Sequence, residues 1–279
     1  MKAMIFAAGL GTRLKPLTDT LPKALVPVCG KPLIEHVARK LQNAGIDEAV
    51  VNVHYFADKI EEWAASQDWI TFSKEKAGNG KMLFEISDER ELLLETGGAV
   101  LHAQRYLQGC GKFLLHNVDI LSNCDIRWME SQVKDDAIAT LFVSERKTKR
   151  YLLFDPESMK LVGKINKGTG ECIMISPEHK YNPDTCRELA FAGIHILSDK
   201  VLPLMHEYAV EKGLCDDGIT ARDIFDTRIM GALTPMPREV IRTFREKYAR
   251  NPEEATDWYY KFSCDTDYIR RYRIAKDMR

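Results

Sequence analysis

Apolar runs of strand length alternate with amphipathic segments along the first part of the chain. Apolar residues three and four positions apart predict helices that begin near Pro32, Ala57, Thr96 and Ile126. Strands are predicted between these helices, over Lys2–Ala7, Ala49–Val53, Ile70–Ser73, Met82–Ile86, Lys112–Val118 and Ala137–Val143. This alternation predicts an α/β fold with a Rossmann-like, mainly parallel sheet and helices on both of its faces. Ligands of such sheets bind beyond the carboxyl ends of the strands.

The pattern changes in the second half of the chain. A hairpin is predicted over Tyr151–Ile165, with its turn at Asp155, and a further strand over Leu189–Leu197. We expect Ser198 to cap a helix that extends through Tyr208. The segments that follow have helical periodicity only: Ile219–Leu233, Pro237–Arg250 and Glu253–Phe262. We therefore expect one domain over residues 1–205 and a helical C-terminal region over residues 206–279.

Composition and charge exclude several classes of partner. The 279 residues have a net charge of -1, which provides no field to attract nucleic acid. The apolar runs are much shorter than the roughly 20 residues that span a bilayer, so no membrane partner is expected. The seven cysteines form no CxxC pair, which argues against a zinc site or a disulfide framework. We interpret them as reduced thiols of a cytoplasmic protein; the sequence gives no oligomeric state.

The loop after the first predicted strand combines glycines with basic side chains. Its sequence is Ala8-Gly9-Leu10-Gly11-Thr12-Arg13, and Pro22-Lys23-Ala24-Leu25 follows shortly after. Glycines allow backbone N–H groups to approach phosphate oxygens closely, and Arg13 and Lys23 supply positive charge. The loop lacks the third glycine of the dinucleotide fingerprint and the GK[ST] ending of the P-loop. The sequence therefore predicts a phosphate-binding loop of another kind.

Two later segments point to the same edge of the sheet. Glu95-Thr96-Gly97-Gly98 opens a predicted helix, whose backbone donors and dipole favour an anion. Asn117-Val118-Asp119 closes a predicted strand. A carboxylate there suits Mg²⁺, which prefers oxygen ligands and is often held by few protein groups together with phosphates and waters.

Together these segments resemble the sugar-1-phosphate nucleotidyltransferases, the nucleoside-diphosphate-sugar pyrophosphorylases. The small members that act on mannose 1-phosphate or N-acetylmuramate 1-phosphate are the most similar. The resemblance implies a transferase of nucleotide-sugar biosynthesis. Its substrates would be a nucleoside triphosphate, with UTP or GTP favoured, and a sugar 1-phosphate; its products would be a nucleotide sugar and pyrophosphate, and its cofactor Mg²⁺.

The resemblance also implies roles for residues of this sequence. Arg13, Lys23 and Asp119 are implied to be catalytic, and Asp119 is also implied to bind the metal ion. The implied nucleotide-binding set comprises Ala8, Gly9, Gly11, Thr12, Glu95, Gly97, Gly98 and Asn117.

Three further residues are less specific. Gly193, in the segment Phe191–His195, resembles a glycine that lies beside the sugar. Lys164 resembles a lysine that meets the sugar phosphate, and a solvated hairpin lysine is the alternative. His54 either lines the nucleoside pocket or is a packed or surface histidine.

The resemblance covers residues 1–205 and then ends. The family's second metal-binding aspartate lies in a W-x-D-x-G-like segment that has no counterpart in this chain. The segments Ala221–Ile241 and Ala255–Arg270 instead resemble the N-terminal region of a bacterial UDP-glucose–hexose-1-phosphate uridylyltransferase, without its catalytic histidine motif. Two hypotheses remain open: an active Mg²⁺-dependent nucleotidyltransferase, or a catalytically impaired protein that binds nucleotides or sugar phosphates, such as a pseudoenzyme, a regulator or a truncated fusion.

Overall fold

A computed structural model describes residues 1–78, 80–90, 93–174 and 181–211 of the chain. Met1–His206 form one compact unit, and Glu207–Arg279 form a second. The predicted helices Ile219–Leu233, Pro237–Arg250 and Glu253–Phe262 lie outside the described residues. Within the described ranges, no helix is long and apolar enough to cross a membrane.

The strands, in chain order, are short except for the last one. They are β1 (Lys2–Phe6), β2 (Pro27–Val28), β3 (Lys31–Pro32), β4 (Glu48–Val53), β5 (Ile70–Thr71), β6 (Met82–Asp88), β7 (Lys112–Asn117), β8 (Ala139–Ser144), β9 (Arg150–Phe154), β10 (Leu161–Asn166), β11 (Glu171–Met174) and β12 (Arg187–Ser198).

In the described residues, five helices lie between these strands and a sixth follows β12. They are α1 (Leu33–Asn43), α2 (Ala57–Ala65), α3 (Glu95–His102), α4 (Gln104–Leu107), α5 (Ile126–Ser131) and α6 (Val201–Glu211). The side chain of Asp125 caps α5 by accepting from the N–H groups of Arg127 and Trp128, at 2.9 and 3.1 Å. Short 3₁₀ turns at Thr12–Leu14, Leu17–Asp19 and Lys23–Leu25 shape the segment between β1 and α1.

One large sheet contains all strands except the ribbon of β2 and β3. Its order is β11-β10-β9-β12-β7-β1-β4-β6-β5, and β8 pairs with β12. Strands β7, β1, β4, β6 and β5 run parallel to one another. The long strand β12 pairs antiparallel with β7, β8 and β9, and so joins the parallel part to the β9–β11 hairpins. The predicted Rossmann-like α/β sheet is confirmed.

Both faces of the parallel strands are buried, which explains their continuous apolar runs. Ala3 and Ile5 of β1 pack in a cluster with the apolar faces of α1, α2 and α5. Met4, which points to the other face, packs in a second cluster with residues of α3, α4 and α6. The prediction of helices on both faces is confirmed.

The predicted capping role of Ser198 is wrong. Ser198 still pairs with Lys112 of β7 as the last residue of β12, so its backbone is committed to the sheet. The helix α6 begins only at Val201. The Ser198 hydroxyl instead accepts from the N–H of Lys200 at 3.3 Å, in the turn between the strand and the helix.

Two histidines are held neutral within the sheet. His116 of β7 has no exposed surface, and its Nδ1–H donates to the Asn117 carbonyl at 2.8 Å. Burial lowers the pKa of His116 from the ordinary value of 6.5 to about 4, chiefly because the charged ring would lose its hydration. Burial lowers the pKa of His195 on β12 to about 4 for the same reason.

We expect acid to destabilise the fold through these histidines. Since their pKa values are lower in the folded state, the unfolded chain binds more protons below pH 6.5. The stability due to neutral rings is therefore fully present above about pH 6.5 and is lost as the pH falls towards 4, by about 3 kcal/mol at most for His116. Urea unfolding at several pH values should show that His116→Leu flattens this dependence. An unchanged pH dependence in that variant would contradict the assignment.

Candidate functional site

The carboxyl ends of three neighbouring strands meet at one edge of the sheet. Phe6, at the end of β1, is in register with Asn52 of β4 on one side and with Asn117 of β7 on the other. The glycine-rich loop leaves β1 at this level, and a turn closed by Ile120 N to Asn117 O at 3.2 Å leaves β7. The parallel register therefore places the loop and the Asn117–Asp119 segment side by side.

An ion pair joins the two segments. The Lys23 ammonium donates to Asp119 Oδ2, although the two residues are 96 positions apart in the sequence. The Lys23 side chain is only 16% exposed and that of Asp119 is 30% exposed, so the pair lies partly sheltered at the edge of the sheet. Val118, between Asn117 and Asp119, is buried in the core and anchors the turn. The two predicted catalytic residues Lys23 and Asp119 are thus in contact.

Gly11 allows the loop to pack against Lys23. Its φ is +63°, in the left-handed region, and a Cβ atom there would lie 2.8 Å from Thr18 Cγ2 and 3.0 Å from Lys23 Cβ. The Gly11 carbonyl accepts from the Thr18 hydroxyl at 2.9 Å and from Leu14 N at 2.8 Å. A side chain at this position would force the loop away from the ion pair.

The remaining residues of the glycine-rich loop lie near the Lys23–Asp119 ion pair. Gly9, Thr12 and Arg13 are exposed, and in the part of the chain that the structure describes Arg13 has no ion-pair partner. Ala8 is buried, and its N–H points to Asn52 Oδ1 at 3.4 Å. The loop thus offers free backbone and one free guanidinium beside the Lys23–Asp119 pair.

Gly193 brings β12 against the same turn. Its φ is +77°, and the register of β12 with β8 shifts between Phe191 and His195. A Cβ atom on Gly193 would lie 3.0 Å from Asn117 Nδ2 and 2.9 Å from Ile120 Cγ1. The structure therefore places Gly193 beside the Asn117–Asp119 segment.

The helix α3 begins with the predicted Glu95-Thr96-Gly97-Gly98 segment. Thr96 and Gly97 are exposed, whereas Gly98 is buried. A Cβ atom on Gly97 would lie 3.8 Å from Met205 Cε, so this glycine is not required by crowding. Thr96 also lines a cavity over the β9–β11 hairpins.

A cavity of about 650 Å³ lies over one face of the β9–β10–β11 hairpins. Cross-strand register aligns Arg150 with Asn166 and Glu171, and Leu152 with Lys164 and Ile173. All six residues line the cavity, together with Thr96, Tyr151, Ile165 and Phe191. Lys164 therefore faces a large cavity, and Arg150 joins it as a second cation that sequence reasoning missed.

A buried polar chain behind the loop was also missed. Asn52 Oδ1 accepts from Ala7 N at 2.8 Å, and Asn52 Nδ2 donates to Glu89 Oε1 at 3.0 Å. The other carboxylate oxygen of Glu89 accepts from Leu94 N at 3.2 Å. The signal in the sequence was a polar Asn52 within the apolar run Ala49–Val53.

His54 is half-buried, and its ring is bonded to the backbone of Glu89. Its Nδ1 is 2.5 Å from the Glu89 carbonyl oxygen. Because a carbonyl oxygen can only accept, Nδ1 carries the proton and donates. His54 thus supports the segment that precedes α3.

The carboxylate of Asp119 fits a divalent cation that brings its other ligands with it. Among the described residues, no group of three or more His, Cys, Asp or Glu side chains could hold a metal ion. Mg²⁺ is commonly bound by one or two carboxylates, with phosphates and waters as further ligands. A cation at Asp119 would therefore need phosphates and waters to complete its coordination.

Comparison with known families divides the sequence in two. Residues 2–153 match the family model described as nucleotidyl transferase. Residues 166–279 match the model of the galactose-1-phosphate uridyl transferase N-terminal domain. The second match begins within β10, so it includes β11 and β12 of the sheet.

Individual relatives show the same division. N-acetylmuramate alpha-1-phosphate uridylyltransferase from Caulobacter vibrioides is 43% identical over 145 residues, 52% of this chain and 54% of the relative. Galactose-1-phosphate uridylyltransferase from Fusobacterium nucleatum is 49% identical over 79 residues, 28% of this chain and 16% of the relative. The chain thus spans about half of the first relative's length and much less of the second's.

The crystal structure of HddC from Yersinia pseudotuberculosis has a similar fold. It is 25% identical to this chain, with a TM-score of 0.51, over 72% of this chain and 78% of that one. The structural similarity therefore covers more of the chain than the nucleotidyl transferase family match does.

We expect Gly193→Ala to destabilise the protein more than Gly109→Ala does. The two glycines have nearly equal φ values, +77° and +78°, but a Cβ atom at Gly109 would meet nothing within 4 Å. Backbone strain should cost each variant about 1–2 kcal/mol. Contact with Asn117 and Ile120 should cost Gly193→Ala a further 1–3 kcal/mol or so. Urea unfolding of both variants measures the difference, and equal losses would show that Gly193 is not needed for close packing.

Proposed function

The chain belongs to the nucleotidyl transferase family, and from this premise we propose that it transfers a nucleotidyl group from a nucleoside triphosphate to a sugar 1-phosphate. The products would be a nucleotide sugar and pyrophosphate. The observation that carries the proposal is the Lys23–Asp119 ion pair, because it joins the phosphate-loop segment to the acidic turn at the carboxyl edge of the parallel strands.

The chemistry needs little from the protein apart from position and charge. A phosphate oxygen of the sugar 1-phosphate attacks the α-phosphorus of the triphosphate, the bond from the α-phosphorus to the bridging oxygen breaks, and pyrophosphate leaves with that oxygen. The attacking oxygen is already ionised at neutral pH, so no protein group has to remove a proton. Catalysis would then depend on alignment and on stabilising the charge of the transferred phosphoryl group.

The loop residues suit these tasks. The backbone of Gly9, Gly11 and Thr12 would bind the phosphates, and the exposed Arg13 guanidinium would stabilise the departing pyrophosphate. Lys23, held beneath the loop by Asp119, would lie between the α-phosphate and the incoming sugar phosphate. Asn117, Glu95, Gly97 and Gly98 would complete the nucleotide site, with Ala8 at its base.

Asp119 would also hold the divalent cation, which we propose to be Mg²⁺. When bound, the cation supplies positive charge to the phosphates and fixes their orientation. Asp119 is in contact with Lys23, so binding of phosphates and a cation would exchange one set of charge partners for another.

The cavity over β9–β11 is the proposed site of the sugar phosphate. Gly193 lies against Asn117 and Ile120, so β12 packs closely on the turn that carries Asp119. Lys164 and Arg150 have no ion-pair partner in the described part of the chain, and both face the cavity. Two cations suit a sugar phosphate that carries a second acidic group, as N-acetylmuramate 1-phosphate does. This chemistry, and the name of the Caulobacter relative, favour UTP and N-acetylmuramate 1-phosphate as the first pair to test.

Asp119→Asn and Arg13→Ala should lower pyrophosphate release by about a hundredfold each. Both side chains face solvent at least in part, so their loss should change the melting temperature little. Release would be measured with Mg²⁺ for the four common triphosphates against N-acetylmuramate, N-acetylglucosamine, glucose and mannose 1-phosphates.

The matched control for Asp119→Asn is Glu48→Gln. Glu48 pairs with Lys2 at 2.9 Å at the opposite edge of the same sheet, so the variant removes a similar ion pair far from the site. It should leave turnover within about twofold, since exposed pairs contribute little to stability. If Glu48→Gln lowers turnover as much as Asp119→Asn does, the acidic turn has no special role.

Lys164→Ala and Arg150→Ala should show which of the two cations binds the sugar's phosphate and which binds its second acidic group. We expect Lys164→Ala to raise KM for both N-acetylmuramate 1-phosphate and N-acetylglucosamine 1-phosphate. Arg150→Ala should raise KM about tenfold for the acidic sugar only, because the other sugar has no second anion to bind. Lys160→Ala is the control, since Lys160 lies in the same hairpin but outside the cavity lining. Equal effects of Arg150→Ala on both sugars would overturn the assignment of Arg150.

A second candidate function follows from the divided sequence. Residues 166–279 match a different family, and the second metal-binding aspartate of the nucleotidyltransferases is not recognisable in the sequence. A protein that binds the triphosphate without turnover would show Mg²⁺-dependent binding of UTP or GTP by calorimetry and no pyrophosphate release with any pair. Turnover that Asp119→Asn abolishes would exclude this candidate.

A further inference from the structure

Buried side chains connect two of the segments that are proposed to bind the nucleotide, the glycine-rich loop and the start of α3. Asn52 is 3% exposed and Glu89 has no exposed surface. Asn52 accepts from the N–H of Ala7, at the start of the glycine-rich loop, at 2.8 Å. Glu89 accepts from the N–H of Leu94, the residue before α3, at 3.2 Å. The hydrogen bond from Asn52 Nδ2 to Glu89 Oε1, at 3.0 Å, completes a chain of three hydrogen bonds between the two segments.

The direction of each hydrogen bond in this chain is fixed. A backbone N–H must donate, so the oxygen of the Asn52 amide faces Ala7 and its nitrogen faces Glu89. Both oxygens of Glu89 then act as acceptors, one for Asn52 and one for Leu94. The backbone of Glu89 is held in turn, because its N–H donates to the Val53 carbonyl at 2.8 Å and its carbonyl accepts from His54.

We propose that Asn52 and Glu89 are positioning residues of the nucleotide site. They set the distance between the glycine-rich loop and the start of α3, the two segments proposed to bind the nucleotide. This inference rests on the proposed function for its kinetic consequences, but not for the hydrogen-bond chain itself. Because these hydrogen bonds are buried, they are sensitive to substitution: a donor or acceptor that loses its partner there cannot bond to solvent instead.

The fixed directions allow a swap that tests the proposal. Asn52→Asp alone would set two carboxylates against each other, and Glu89→Gln alone would turn an amide N–H₂ towards another donor. In the double variant Asn52→Asp/Glu89→Gln, the new carboxylate accepts from Ala7 N and from the new amide, whose oxygen accepts from Leu94 N. The double variant thus restores the three hydrogen bonds with the carboxylate and the amide exchanged between positions 52 and 89. The net charge of the pair is unchanged.

We expect each single variant to raise KM for the triphosphate about tenfold or more, with less than about twofold change in KM for the sugar 1-phosphate. The double variant should recover most of this loss. A merely structural role would lower kcat through the folded fraction and leave both KM values unchanged. UTP and N-acetylmuramate 1-phosphate are the probes, or the pair that the wild-type grid identifies.

Amide hydrogen exchange gives a second measurement that needs no turnover. The Ala7 and Leu94 amides should exchange slowly in the wild type, faster in each single variant and slowly again in the double variant. If Asn52→Asp does not fold, Glu89→Asp is the milder variant: it keeps the charge, retracts the carboxylate by one methylene and should still speed exchange at Leu94. A wild type that releases no pyrophosphate would overturn the proposed function, and exchange and Mg²⁺-dependent binding of UTP by calorimetry would still test this inference.

Thr71→Val is the matched control. Thr71 is a buried residue of β5 whose hydroxyl accepts from Ser73 N at 3.1 Å, away from both proposed nucleotide segments. Its loss should lower the melting temperature without changing KM for the triphosphate. The proposal is overturned if the double variant is no better than the single variants, or if Thr71→Val raises the triphosphate KM as much as they do.

Discussion

The parallel register of β4, β1 and β7 is the constraint on which the site depends. It brings Asn52, Phe6 and Asn117 into one row at the carboxyl edge, so the chain leaves β1 and β7 at neighbouring points. The Lys23–Asp119 ion pair can form only because of this alignment. Each later contact follows from it, since Gly11 packs on Lys23 and Gly193 packs on the turn that carries Asp119.

The ion pair is well suited to exchanging partners. Partly exposed ion pairs contribute little to stability, so the proposed phosphate and metal contacts would replace the Lys23–Asp119 contact at little cost. The backbone around the pair is held by other means: Val118 is buried, and the Gly11 carbonyl is bonded twice. In the proposed reaction, the charges would rearrange while the loop and the turn keep their places, which is the preorganisation that phosphoryl chemistry requires.

Much of this arrangement could be predicted from the sequence because it is encoded locally. The apolar periods gave the strands and helices, and the loop and strand ends carried the recognisable segments. The Asn52–Glu89 bond could not be predicted, because it joins side chains 37 positions apart whose meeting depends on the packed sheet. Ser198 was wrongly predicted to cap a helix, because its pairing with Lys112 depends on the register of β12. Arg150 was missed because only the cross-strand register shows which hairpin face it shares with Lys164.

Strand β12 belongs to the second family match by sequence but to the sheet of the first family match by structure. Residues 166–279 match the uridylyltransferase domain, yet β12 lies within that match and pairs with β7 along five residues. A boundary at residue 166 would remove β11 and β12 from the sheet, and with β12 the Gly193 contact with Asn117. The alignment with HddC also extends over 72% of the chain, beyond the nucleotidyl transferase match at residues 2–153. We therefore propose that the first domain extends through β12 to the expected boundary between residues 205 and 206, because β12 completes the sheet and packs against the turn that carries Asp119.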